Sequence, residues 1–225
     1  EPLRLGIAGL GTVGVGIVRI VQKHADLLAL RAGRPVVITA VSARSKTKNR
    51  DVDLSDYAWE DDPVHLAQRS DIDVFIEVMG GYEGPAKDAT EAAIASGKDV
   101  VTANKALLAH HGQALAIAAE DAGRVIRFEA AVAGGIPVVK ALTEGLAGNE
   151  ITRVMGVMNG SCNYILTRME NDGMTYEQVF DAANQLGFLE ADPELDVGGI
   201  DAGVKLALLD SIAFGTQVDF GAVVL

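Results

Sequence analysis

The chain has 225 residues, 49% of them hydrophobic, enough for one complete α/β domain and part of a second, and this excludes global disorder. A net charge of −12 excludes an overall basic surface for nucleic acid, and no stretch approaches the roughly 20 apolar residues of a membrane span. The single cysteine, Cys162, excludes an internal disulfide and a cysteine-based zinc cluster and fits a reducing, cytoplasmic setting.

In chain order, Leu3–Ala8 reads as a strand. The apolar stretch after Arg4 carries Gly6, Gly9, Gly11, Gly14 and Gly16, too many glycines for a secretion signal. An amphipathic helix is expected at Gly14–Leu30. Further strands are expected at Val36–Ser42, Asp73–Val78, Asp99–Thr102 and Arg124–Glu129, with helices at Pro63–Arg69, Pro85–Ser96 and Leu107–Ala122 between them. This alternation predicts a Rossmann-type, doubly wound parallel sheet. A small-residue run at Ala131–Gly135 then leads into a helix at Pro137–Leu146. A strand at Ile151–Met158 and helices at Asn163–Asn171, Tyr176–Leu186 and Ala202–Ala213 follow, giving a partial α+β second domain. The boundary is placed at residues 135/136. Val218–Leu225 reads as the start of a strand, so a fragment of a longer chain is expected, one that binds dinucleotide, turns substrate over poorly and self-associates through an open edge.

Gly9-Leu10-Gly11-Thr12-Val13-Gly14 matches G-x-G-x-x-G between a strand and a helix, the context that lets the pattern hold a dinucleotide. Its first glycine permits the tight turn, the second lets the pyrophosphate approach the backbone and the third allows close helix packing. Unpaired N–H groups at the helix start then face the phosphates. The next strand ends in Val41-Ser42-Ala43-Arg44, without the acidic residue that would hold the ribose of NAD. Residues 31–50 hold six basic residues and no acidic one. Two readings stand here: a 2′-phosphate site for NADP with Arg44 as its ligand, or a solvated basic loop.

Residues 171–201 reverse that balance, with eight acidic residues and no Lys or Arg. Glu190, Asp192, Glu194, Asp196 and Asp201 cluster in a turn-rich stretch that calls for a cation: a metal, a ligand ammonium, or Lys205. Asp201 and Lys205 are four residues apart and share a helix face, which by spacing alone is a surface pair.

Several segments in order resemble the homoserine dehydrogenases. They are Thr102-Ala103-Asn104-Lys105-Ala106, Ala131-Val132-Ala133-Gly134-Gly135-Ile136-Pro137, Asn159-Gly160-Ser161-Cys162-Asn163-Tyr164-Ile165 and Gly187-Phe188-Leu189-Glu190-Ala191-Asp192-Pro193, followed by Asp196, Gly199-Ile200-Asp201 and Lys205. The resemblance implies interconversion of L-homoserine and L-aspartate 4-semialdehyde with NADP or NAD, in threonine and methionine biosynthesis. It implies that Lys205 moves the proton on the substrate oxygen and that Lys105 closes the nicotinamide end. Glu190 and Asp201 would take the substrate ammonium, with Asp196 a further substrate-side residue. Gly9, Gly11, Thr12, Val13, Gly14, Arg44, Thr102, Lys105 and Gly187 would hold the cofactor. Glu129 with the backbone oxygens of Val132, Gly134 and Ile136 would hold a monovalent cation, sodium. A homo-oligomer, dimer or tetramer, is implied as well. Phe188 and Ser161 depart from the family, which commonly has tyrosine and threonine there.

Two other readings fit parts of the chain. Another two-domain reductase would show a histidine-rich catalytic helix, of which His110-His111 is the only hint. A regulatory module without turnover would need the glycine-rich turn but not Lys105, Glu190, Asp201 and Lys205 together.

Overall fold

In a computed structural model, which describes residues 1–189 and 192–225, the chain divides into two compact units, Glu1–Val138 and Val139–Leu225. The first unit is a six-stranded, all-parallel sheet. Its strands are β1 (Leu3–Ala8), β2 (Val36–Ser42), β3 (Ala58–Glu60), β4 (Val74–Glu77), β5 (Asp99–Thr102) and β6 (Ile126–Arg127), in spatial order β3-β2-β1-β4-β5-β6. This is the doubly wound order expected of a Rossmann domain, with the order reversing beside β1.

Alternate residues of β1 and β4 enter two separate cores, as the two-residue strand period requires, while in β2 the register shift between Ile38 and Ala40 offsets the alternation by one residue. Leu5, Ile7, Ile38, Val41 and Ile76 pack with Val15, Val18 and Val21 of α1 (Thr12–Lys23). Ala8, Ala40, Phe75 and Val100 pack with α3 (Pro63–Gln68), α4 (Pro85–Ala95) and α5 (Lys105–Asp121). That second layer mixes alanines (Ala67, Ala89, Ala93, Ala119) with the larger Leu66, Ile94, Leu107 and Leu115.

The expected helix Gly14–Leu30 is two helices, α1 and α2 (Ala25–Ala32), parted at His24. No described residue of α2 is buried, and Leu30 is 81% exposed. Of the α2 leucines only Leu28 packs, half-buried, against the core of β1, β2 and α1. The strand expected at Arg124–Glu129 shrinks to two residues, because Glu129 opens the short helix α6 (Glu129–Val132).

The second unit is helical among the described residues. It begins within α7 (Val138–Lys140), which runs into a π-helical turn at Ala141–Gly145 where one continuous helix was expected. Next come α8 (Gly160–Asp172), α9 (Tyr176–Gln185), α10 (Glu194–Val197) and α11 (Ile200–Phe214). Asn159 caps α8 and Gly173 ends it in the left-handed region; Thr175 and Gln178 form a capping box on α9. Ile165, Val179 and Ala183 form the core between α8 and α9.

Neither expected strand of this unit forms. Ile151–Met158 pairs with no described strand and leaves Met155 and Val157 about three-quarters exposed, at 77% and 76%. Strand geometry needs a neighbour to take its N–H and C=O groups. Val218–Leu225 instead makes a 3-10 turn at Phe220–Ala222 and folds back on α11. There the absent side chain of Gly203 makes room: an added Cβ would lie 2.8 Å from Leu225, 3.0 Å from Phe220 and 3.3 Å from Val223.

Candidate functional site

The first unit gathers its candidate residues at the C-terminal ends of the strands, where the strand order reverses and doubly wound sheets bind ligands. Gly9 follows β1 with φ +101°, and a Cβ there would sit 2.5 Å from the carbonyl oxygen of Val78. At Gly14, inside α1, a Cβ would meet the Gly9 carbonyl at 1.9 Å. The fold itself therefore demands these two glycines. Gly11 is different: an added Cβ meets no described atom within 4 Å. Gly11 is the N-cap of α1 and supplies no capping side chain, so no described side chain covers the N–H groups at Thr12 and Val13. Open space over an uncapped helix start is what an incoming phosphate requires.

Arg44 lies two residues beyond β2 and is exposed. Arg50 shapes the loop around it. Its guanidinium donates to the carbonyls of Leu10 (3.1 Å), Lys48 (2.8 Å) and Ser45 (2.6 Å) and lies 5.6 Å from the Trp59 ring centroid. Arg50 thus ties the loop to the glycine-rich turn, while residues 44–49 stay exposed.

On the other side of β1, the fully buried Glu77 ends β4. Its carboxylate accepts from the Thr102 hydroxyl at 2.6 Å and from the backbone N–H of Met79 at 2.7 Å. The Thr102 hydroxyl in turn accepts from the Asn104 N–H (2.9 Å), and the Asn104 amide donates to the Gly81 carbonyl (2.6 Å) while capping α5. Thr102 therefore faces a buried network that sets loop 79–81. Lys105 is the first residue of α5 and half-buried. Its helix also carries His110, stacked on Tyr82 with centroids 4.0 Å apart, and His111, whose Nε2 is 3.0 Å from Glu83. The two histidines hold loop 82–83 to α5.

Glu129, Val132, Gly134 and Ile136 fall within one tight segment: α6 ends at Val132 and Gly135 takes φ +79°. A carboxylate and three carbonyls are an all-oxygen set of donor types, the kind that a hard cation takes. The Ile136 carbonyl also accepts from the Val138 N–H at 2.8 Å.

In the second unit, Asn159, Gly160, Ser161, Tyr164, Gly187, Phe188, Asp196, Asp201 and Lys205 line a cavity of about 490 Å³. Asp196 and Asp201 are only 2% and 3% exposed, so the surface-pair reading of Asp201 and Lys205 does not hold. Lys205 Nζ donates to Asp201 Oδ2 at 2.7 Å and to the Met158 carbonyl at 3.0 Å. An ammonium has three hydrogens, which leaves a third for the cavity. The Asn159 amide nitrogen donates to Asp196 Oδ1 (2.8 Å) and to Asp201 Oδ2 (2.9 Å). Burial and then Asp196 and Asp201 push the Cys162 thiol up from its usual range, keeping it protonated; it donates to the Asp196 carbonyl at 3.1 Å. The Ser161 hydroxyl donates to the Phe188 carbonyl at 2.5 Å, and Tyr164 meets Phe188 edge to face. Glu190 lies outside the described residues.

Residues 9–129 match the family described as "Homoserine dehydrogenase, NAD binding domain", and residues 137–225 match that described as "Homoserine dehydrogenase". The chain belongs to the homoserine dehydrogenase family. Homoserine dehydrogenase of Neisseria gonorrhoeae is 43% identical over 99% of this chain and 51% of its own length; that of Bacillus subtilis is 45% identical over 97% and 50%. The chain thus spans about half the length of the curated relatives it matches. Among solved structures, a homoserine dehydrogenase from Thiobacillus denitrificans superposes with a TM-score of 0.92 at 40% identity, covering 98% of this chain and 51% of that one. A hyperthermophilic archaeal homoserine dehydrogenase in complex with NADPH superposes at 0.84 with 26% identity, covering 96% and 71%.

Within this family frame the first unit is the nicotinamide-dinucleotide-binding domain. Gly9, Gly11, Thr12, Val13 and Gly14 share one turn; Thr102 and Lys105 stand at the end of β5. Gly187, expected at the cofactor, lines the cavity of the second unit beside Phe188. Sequence reasoning passed over Glu77, Arg50 and the amide of Asn159. A polar residue ending an apolar strand was the signal for Glu77, and an Asn just before a helix start was the signal for Asn159. Arg50 had none beyond its place in the basic run.

Proposed function

We propose that the full-length protein is a homoserine dehydrogenase in action as well as in family, interconverting L-homoserine and L-aspartate 4-semialdehyde with NADP, or secondarily NAD, in threonine and methionine biosynthesis. The observation that carries this is the pair of buried Asp201 and half-buried Lys205 lining a cavity in the unit that matches the family's own segment.

When bound, the nicotinamide supplies hydride acceptance and donation at the substrate carbon. Lys205 holds the proton at the neighbouring oxygen, with Asp201 and the Met158 carbonyl orienting its amine. Asp196, Asp201 and Glu190 give the substrate ammonium an acidic lining. Gly11 with the start of α1 receives the pyrophosphate, flanked by Thr12 and Val13, and Arg44 the 2′-phosphate. Support for NADP comes from the basic loop after β2 and from the NADPH complex of the archaeal relative. Thr102, Lys105 and Gly187 complete the cofactor contacts. Glu129 with the carbonyls of Val132, Gly134 and Ile136 is assigned to sodium. We place the enzyme in the cytoplasm as a homo-oligomer, dimer or tetramer; the lone cysteine suits that compartment.

The test is steady-state oxidation of homoserine by the full-length protein with NADP⁺ and NAD⁺. Turnover with both, faster at limiting NADP⁺, is expected. Dinucleotide binding without turnover would replace this reading with a regulatory one. Exchanging sodium for a bulky organic cation should lower the rate, and an unchanged rate would remove the ion from the scheme.

A further inference from the structure

The cavity's central polar residue is neutral, and none of the roles above uses it. We propose that Asn159 is a positioning residue: its amide holds Asp196 and Asp201 on one nitrogen and thereby sets Lys205 against the substrate oxygen. The proposal rests on the reading that Lys205 handles that proton.

Asn159 is 8% exposed and joins three elements. Its Oδ1 accepts from the Cys162 N–H at 2.7 Å, which anchors it to the first turn of α8. Its Nδ2 gives one hydrogen to Asp196 of α10 and the other to Asp201 of α11. Two carboxylates converging on one point repel each other. A neutral group with two donors relieves that repulsion without introducing a second cation to compete with Lys205.

The step Met158-Asn159 also controls both acceptors of Lys205. One is the Met158 carbonyl itself, at 3.0 Å. The other is Asp201 Oδ2, the same oxygen that Asn159 holds at 2.9 Å. A shift of this residue therefore moves the amine through two contacts at once. Helix capping alone does not call for an amide, since Ser or Asp caps as well as Asn. What only the amide does here is donate twice.

That distinction supplies the test, in the full-length protein. Asn159→Asp keeps the shape and the capping acceptor, loses both donors and adds a charge. Asn159→Ser keeps a capping oxygen and adds no charge. Both should hold dinucleotide affinity within about twofold and lower kcat for homoserine by about tenfold to a hundredfold, the scale of a misplaced reacting group. With Asn159→Asp, the acid limb of the kcat/KM profile should also move to higher pH, because an added negative charge favours protonation of its neighbours. The Asn159→Ser limb should move the same way but less, because it loses donors to the carboxylates and adds no charge. Alkylation of Cys162, followed by peptide mass spectrometry, gives a readout free of substrate. Its thiol donates to the Asp196 carbonyl, so releasing Asp196 in Asn159→Ser should speed labelling severalfold. Wild-type kcat and pH limb in both variants would overturn the proposal, as would parallel losses of kcat, dinucleotide affinity and melting temperature. If the wild-type protein does not oxidise homoserine, the functional reading fails by itself. Labelling then decides the Asn159 tie, which an unchanged rate in Asn159→Ser would overturn.

Discussion

The first unit makes its candidate site from side chains that are missing, the second from side chains that are charged and buried. Around the glycine-rich turn the controlling facts are a Cβ that would lie 1.9 Å from a carbonyl at Gly14 and open space at Gly11. Around Lys205 they are two carboxylates under 4% exposed and an amide that joins them. The contrast fits the two tasks. A pyrophosphate is recognised by backbone N–H groups and needs room, whereas an ammonium and a moving proton need charges of fixed position. Substitutions should therefore separate the two functions cleanly.

The largest separation is expected at Lys205. Lys205→Met should lower homoserine turnover at least about a hundredfold, the usual scale for losing a general acid–base group, while leaving dinucleotide affinity near wild type. Stopped-flow turnover alongside fluorescence titration of NADPH measures both. A matched loss of cofactor binding would place Lys205 in the structure of the unit rather than in its chemistry.

The glycines offer the converse separation. Gly14→Ala should destabilise the first unit by about 1–3 kcal/mol, the common cost of overpacking, because the atom it meets is backbone and cannot swing aside. Gly11→Ala should leave thermal unfolding almost unchanged and weaken dinucleotide binding about tenfold or more, by crowding a phosphate contact rather than a protein one. Calorimetry with and without NADPH reads both. Equal destabilisation by the two substitutions would mean that Gly11, too, answers to the fold.

The same contrast explains what could be read from the sequence. β1, β2 and β5 begin and end where expected, since each is a local pattern bounded by turn residues. The glycine-rich turn is legible for the same reason: six consecutive residues carry it. β3 was missed because Ala58-Trp59-Glu60 is a short edge strand held only by β2. The strand expected at Ile151–Met158 failed because alternation describes a surface and not the partner it needs. In the second unit Asp201 and Lys205 were visible as an i, i+4 pair, but their burial was not. The bonds from Asn159 to Asp196 and Asp201 span 37 and 42 residues, and no local pattern encodes such a distance.

A smaller effect is expected at the basic loop. Arg44→Ala should weaken NADPH by about tenfold, the worth of one charge-assisted contact, and leave NADH nearly unaffected. Arg50 makes the useful control. It bonds the Leu10, Ser45 and Lys48 carbonyls, so Arg50→Ala should loosen the loop and weaken both cofactors together. Parallel losses from Arg44→Ala would remove its assignment to the 2′-phosphate.

The smallest effect should come from the opposite end of the sheet to the glycine-rich turn, where a charged pair joins β1 to the residue before β4. Arg4 meets Asp73 through two side-chain bonds at 2.6 and 3.1 Å, and the Arg4 backbone N–H adds a third at 2.9 Å. These contacts, the Arg4 side chain foremost, hold the Asp73 carboxyl down to about 2. An unperturbed Asp titrates near about 3.9, so the native state favours the ionised form. The resulting stability is fully present above that value and is lost as pH falls through about 2. Both side chains are more than a third exposed, and water screens the pair. Asp73→Asn should therefore lower urea-unfolding stability modestly at pH 7, and the gap from wild type should close as pH falls from about 4 toward about 2. NADPH affinity should not change at any pH where the protein stays folded. A gap that persists undiminished at the acid end would show that Asp73 acts through packing rather than charge. A change in cofactor affinity would show that the two ends of the sheet are coupled, and that the backbone-built site depends on charge after all.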